Sequence, residues 1–430
     1  MTAPGNSRRS GRIAFAYPDF TYLQLARFCS VIGTEMQSVA VGWQVYEITN
    51  RALDLGLVGL AQFLPGILLF LVSGHAADRY NRCKVLTLSY GGLSVCSALL
   101  VGITLRGAHS VYPIYGVMLL VGIARSFSGP SGRALLPLAV PEEHFQNAVA
   151  WGSSIFQTAT ILGPAAGGFV YALFRGPAVV YGLAALATAG AALAMIRVNI
   201  KKKPAAQEGL TWSTVLAGLR YIKEHKIVLG AVSLDLFAVL LGGAVALLPV
   251  YAKEILRTGP WGLGLLRCAP GIGAGAMAIL LAHRPLRRKA GRTMLWCVGG
   301  FGLFTVIFGV SHSLVLSMLA LALVGASDMV SVVIRGVLVQ LQTPDDMRGR
   351  VNAVEMIFIG ASNEFGQFES GVTAAWIGSV PAVILGGVGS IVITLLWAML
   401  FPELRNVDRL AGAGAAGEAA RESALTGSND

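Results

Sequence analysis

Twelve times along its 430 residues the chain runs for about twenty residues or more that are predominantly apolar. A helix rising 1.5 Å per residue needs about that length to cross roughly 30 Å of hydrocarbon. Inside lipid every backbone N–H and C=O must be satisfied within the protein, which leaves only helices and closed barrels. The strict two-residue alternation of barrel strands is absent. The sequence therefore predicts an all-α polytopic membrane protein. Its spans are expected near 22–46, 55–77, 84–105, 113–139, 147–173, 177–197, 227–252, 261–282, 293–311, 314–341, 351–376 and 380–400.

Composition agrees with a lipid solvent. Charged residues make up 13% of the chain, about half of what a water-soluble domain carries. The net charge of +11 would suit a nucleic-acid partner, but the basic residues fall where membrane topology and lipid headgroups account for them. With the N-terminus inside, 23 Lys and Arg fall in inner segments, against five (Arg51, Arg106, Arg175, Lys253, Arg257) outside. This bias predicts cytoplasmic termini and no nucleic-acid partner. The five cysteines show neither disulfide nor zinc spacing. No HExxH, GxSxG or nucleotide-binding loop occurs, so no cofactor, metal site or enzyme activity is expected.

The chain also repeats. GIARSFSGPSGRALLPLAVPEE in span four parallels GASDMVSVVIRGVLVQLQTPDD in span ten, with Gly122 matching Gly325 at a separation of 203 residues. Expected units are an N-terminal tail (1–21), a six-helix bundle (22–197), a linker with an amphipathic helix (198–226), a second bundle (227–401) and a disordered tail (402–430). Parallel repeats with a site between them are a transporter arrangement.

Between spans two and three the chain crowds charges into GHAADRYNRCKVL. Gly74 thins the end of span two, and Asp78 is a candidate cap for span three or a partner for Arg79, Arg82 and Lys84. GxxxDRxxR here resembles the signature loop of the major facilitator superfamily. Gly74, Asp78, Arg79 and Arg82 match by position, while Asn81 and Cys83 depart from the pattern. The corresponding loop of the second half, HRPLRRKAGR, keeps the bases and loses the acid. Arg125 to Gly129 in span four is similar to that superfamily's RxxxG motif, whose Arg is linked to proton handling. Gly163, Pro164, Gly167 and Gly168 in span five resemble its exporter motif GPxxGG, in which glycines allow close helix contact and proline removes a backbone bond. From about 20 to 402 the chain is most similar to the bacterial branch that includes enterobactin-type siderophore exporters and macrolide efflux proteins. The resemblance implies two pseudo-symmetric six-helix bundles, a conformational gate at Gly74, Asp78, Arg79 and Arg82, and proton-coupled export of a small organic compound by a monomer. A siderophore, a macrolide or another drug would fit, the last implying multidrug resistance. The alternative on the same fold is an importer or facilitator.

Ionisable groups in hydrocarbon cost at least about 2.5–3.5 kcal/mol each and need a partner or a task. Glu35, Arg125, Asp235 and Asp328 lie at depth and are the candidates for proton coupling. Glu35, Arg125, Asp328 and Arg335 are the candidates for the substrate cavity. Expected pairs are Glu35 with Arg125, Asp328 with Arg335, and Arg267 with Glu369. Glu355 and Glu364, nine residues apart, face opposite sides of span eleven, where inter-helix contacts are expected. Trp43 is expected as an interfacial anchor.

Overall fold

The computed structural model describes residues 11–107, 110–200, 212–284 and 288–408. Helices α1 (Pro18–Thr49), α2 (Ala52–Leu68), α3 (Phe70–Arg79), α4 (Arg82–Leu105), α5 (Tyr112–Leu135), α6 (Phe145–Phe174) and α7 (Pro177–Ile196) form the first half. Helix α8 (Trp212–Glu224) follows. The second half comprises α9 (Lys226–Leu241), α10 (Gly259–His283), α11 (Ala290–Val310), α12 (Leu314–Gln342), α13 (Asp345–Ile377) and α14 (Ser379–Leu400). Among the described residues seven segments are long and apolar enough to cross a membrane. The other rods are more polar or broken, and together they make twelve crossings.

Two expected spans are interrupted. Span two divides at Leu69 into α2 and α3, one turn after Pro65, although Leu69 N–H still donates to the Pro65 carbonyl at 2.8 Å. Span seven ends its first helix at Gly242, where the Gly242–Gly243 pair terminates α9. It resumes as a 3₁₀ turn over Ala244–Leu247, a short turn at Leu248–Val250 and a π-turn over Tyr251–Ile255. Pro164, by contrast, leaves α6 unbroken.

Each half pairs its helices in the same order. In the first, α1 packs on α6 and α7, α4 on α5 and α7, and α2 on α5. In the second, α9 packs on α13 and α14, α11 on α12 and α14, and α10 on α12. The matching glycines do equivalent work. A methyl group on Gly122 would run into the Gln62 carbonyl of α2, and one on Gly325 into the Pro270 carbonyl of α10. The halves meet where α6 packs on α10 and α2 on α13.

Helix α8 docks on the second half. Val215 and Ile222 pack with Val228, Val232, Val339, Val351 and Val354, and the Tyr221 hydroxyl donates to the Gln342 carbonyl at 2.5 Å. The stretch expected to be a free tail from 402 begins as a turn, Pro402–Arg405, with Leu404 fully buried. Gly291 N–H donates to the Val407 carbonyl at 3.1 Å, which ties this turn to the start of α11. At the other terminus, Ile13–Ala16 forms a 3₁₀ turn, and Trp151 of α6 donates to the Gly11 carbonyl at 2.8 Å. The expected tails at 1–10 and 409–430, and linker residues 201–211, lie outside the described residues.

Candidate functional site: charges where the halves meet

At mid-depth four ionisable groups converge from four helices: Glu35 (α1), Arg125 (α5), Arg267 (α10) and Glu364 (α13). The charges of Glu35 and Glu364 both act on Arg267, and those of Arg125 and Arg267 act on Glu364. The group is formally neutral, with one acid and one base from each half. Neutral side chains fix its geometry. Arg125 Nη1 donates to Gln62 Oε1 at 3.0 Å, Arg267 Nη1 to Ser38 Oγ at 2.6 Å, and Gln367 Nε2 to Glu364 Oε2 at 3.4 Å. Glu35 and Arg125 line one small polar cavity with Gln62, Ser38 and Thr34. Its volume of about 40 Å³ has room for a few waters.

The expected Glu35–Arg125 ion pair is therefore corrected: both reach the same cavity, but Arg125 is held by Gln62. The expected Arg267–Glu369 pair is replaced as well, since Arg267 turns toward Ser38 and Glu369 accepts from Thr373 at 2.7 Å. Glu364 belongs to the cluster as well, a partnership with Arg267 and Arg125 that was not among the expected pairs.

A second cluster lies wholly in the second half. Buried Arg335 (3% exposed) of α12 forms ion pairs with Asp235 of α9 and, at 3.1 Å, with Glu355 of α13. Asp328, two turns from Arg335, is within electrostatic reach of both Asp235 and Arg335. The expected Asp328–Arg335 pair thus becomes a four-residue group in which Asp235 and Glu355 make the direct contacts. Three acids against one base leave it formally negative when all are ionised.

The motif glycines set the spacing around the first cluster. A methyl on Gly163 would sit 2.5 Å from Glu35 Cβ, and one on Gly167 2.9 Å from Met36 Cα. Gly168 faces the other half, where its methyl would lie 2.5 Å from the Pro260 carbonyl oxygen and 2.8 Å from Gly264 Cα. Helix α6 is therefore pressed backbone-to-backbone on α1 and α10 at once. Trp43, expected at the interface, is instead buried and packs edge-on against Tyr171.

Toward the end of the molecule away from the termini, further contacts cross between the halves. Tyr46 donates to Glu254 in the π-turn, and Lys253 Nζ donates to Asn50 Oδ1 at 2.7 Å. Gly56 abuts the backbone of Phe368, and Phe63 and Phe365 meet edge-on at 5.5 Å. At the terminal end, Gly74 is buried in α3, and Arg82 Nη1 donates to the Ala134 carbonyl at 3.3 Å. The Asp78 side chain lies outside the described residues. Asn81 caps α4 by accepting from Cys83 and Lys84 N–H at 2.9 and 3.3 Å, the role expected of Asp78. This gives a physical reason for Asn at the position where the superfamily loop has a small residue.

Residues 10–418 match the family of transmembrane secretion effectors. The chain belongs to this family of the major facilitator superfamily. Among its relatives, the enterobactin exporter EntS of Citrobacter koseri is 27% identical over 396 residues, covering 91% of this chain and 93% of that protein. The protein of the same name from Escherichia coli K12 gives the same identity and coverage. Similar solved structures include a bacterial homologue of the human lysosomal transporter Spinster, in an inward-facing and occupied conformation. Its TM-score is 0.69 at 12% identity, over 90% of this chain and 97% of that one. A bacterial homologue of the iron transporter ferroportin gives 0.65 at 16%, over 90% and 98%. These two likenesses show the fold. The family member is a multi-pass membrane transporter of small molecules.

Proposed function

We propose that the chain is a proton-coupled exporter of a small organic compound, working by alternating access in a bacterial inner membrane with both termini cytoplasmic. The observation that carries this reading is the cluster of Glu35, Arg125, Arg267 and Glu364, to which each half contributes an acid and a base. Rocking the halves apart must change the distances within the cluster, and with them the cost of keeping each carboxylate ionised. Proton uptake and release are thereby tied to which side is open. Asp235 and Asp328 answer to Arg335 inside one half, where rocking leaves their neighbours in place. Glu35 is therefore the leading carrier, with Glu364 beside it.

The contacts at Tyr46–Glu254, Asn50–Lys253 and Gly168–Gly264 fit a state closed on the external side. Gly74, Asp78, Arg79 and Arg82 would gate the cytoplasmic side. The likeness to proteins named enterobactin exporters favours a siderophore as cargo over a macrolide or another drug. In everted vesicles, Glu35→Gln is expected to abolish uptake of a siderophore driven by an acid interior while the protein stays folded. Undiminished uptake would remove Glu35 from the mechanism. Uptake into right-side-out vesicles, driven by an inwardly directed proton gradient, would replace export by import.

A further inference from the structure

On the outer flank of the first half, α4 and α5 part to leave a groove of about 950 Å³. Leu88, Gly92 and Val95 of α4 and Leu120, Ile123 and Phe127 of α5 line its length. Its end nearest the termini carries Arg79 and Lys84, both exposed. Among the described residues neither side chain makes a hydrogen bond or ion pair, and no acid lines the groove. Exposed Tyr80 stands at the same end, the depth at which aromatic side chains meet headgroups. From Lys84 to Val95 the helix rises about 16 Å, close to the thickness of one leaflet's hydrocarbon.

We propose that this groove holds one acyl chain of an anionic phospholipid, with the lipid phosphate between Arg79 and Lys84. Length and charge argue together. The apolar floor runs from headgroup depth to the bilayer middle and stops, as a single tail does. Among the described residues the two cations meet no carboxylate there, so a net negative headgroup answers them better than a zwitterion. A second copy of the chain would leave them unanswered, because the matching faces would set like charges together.

The test is native mass spectrometry of the purified full-length protein with phosphatidylglycerol, and with phosphatidylcholine of the same chains. Phosphatidylglycerol is expected to bind preferentially. Arg79→Gln and Lys84→Gln should each weaken it about fivefold, the equivalent of about 1 kcal/mol per basic group near a membrane surface. Val95→Trp, filling the groove without touching charge, should abolish retention, with Leu88→Trp as a second blocking variant. Leu186→Trp on the exposed face of α7 should change nothing, and melting curves confirm that each variant is folded. Equal binding of the two lipids, or retention undisturbed by both blocking tryptophans, would overturn the proposal. So would full displacement by inorganic phosphate, which would make the site one for a headgroup alone. A dimer that Val95→Trp dissolves would assign the groove to a second copy instead.

Discussion

Gly168→Ala offers a direct reading of how the two halves part. The added methyl would lie 2.5 Å from the Pro260 carbonyl oxygen and 2.8 Å from Gly264 Cα, both backbone atoms of the opposite half. Backbone cannot rotate away as a side chain can, so the halves themselves must give. Overpacking of this kind costs about 1–3 kcal/mol. Alanine also favours helix over glycine by about 1 kcal/mol, but that gain is common to every state in which α6 is helical. Only the steric cost distinguishes the states, and it falls on the one in which α6 and α10 touch. The population closed at the end away from the termini should therefore drop about 5- to 150-fold relative to the open one. Spin labels at R51C and H312C in a cysteine-free background would report this as growth of the longer-distance population. Gly264→Ala, whose methyl meets the Pro164 carbonyl oxygen at 2.7 Å, should do the same. Gly163→Ala meets Glu35 within its own half, so it should lower stability and leave the distances alone. If Gly168→Ala lowers the melting temperature but leaves the distance distribution unchanged, the strain is absorbed inside one bundle and the reasoning fails.

Arg335→Met removes the only base in direct contact with Asp235 and Glu355 among the described residues. Leaving buried acids unpaired costs about 3–5 kcal/mol, visible as a large fall in thermal stability that a second substitution, Asp235→Asn, should partly reverse. Tyr46→Phe deletes the hydrogen bond to Glu254. Hydrogen bonds to charged groups contribute about 1.5–3 kcal/mol, so the same spin-label pair should again shift toward the longer distance. Gly122→Ala and Gly325→Ala each drive a methyl into a carbonyl of the neighbouring helix and should reduce folded yield alike, as judged by size-exclusion chromatography. A marked difference between them would deny that the repeat packs equivalently.

Much of the architecture was legible because lipid imposes it. Span lengths follow from bilayer thickness, and close helix approaches are written locally as glycine, so Gly122, Gly325 and the Gly163–Gly168 segment could be singled out. The breaks at Leu69 and Gly242 were not expected, because spans two and seven are continuous in hydropathy and membrane helices tolerate Pro and Gly. Ion-pair partners were least legible. Gln62 takes Arg125 from 63 residues away, a choice set by which helices neighbour each other at that depth. Glu254 was missed because span seven was expected to end at 252, whereas the π-turn carries the helical path two residues past Lys253 to Ile255. Glu364 escaped because span eleven was expected to make inter-helix contacts whose partners the residues alone do not name.

Helix α8 has its closest backbone approach at Gly218, where a methyl would meet the Arg350 carbonyl oxygen at 2.5 Å, and its hydroxyl clasp from Tyr221 also ends on the second half. It is thus a handle welded to one jaw of the machine. A binder that grips its outward residues, such as Arg220 and Lys223, would load that jaw and leave the other free to swing.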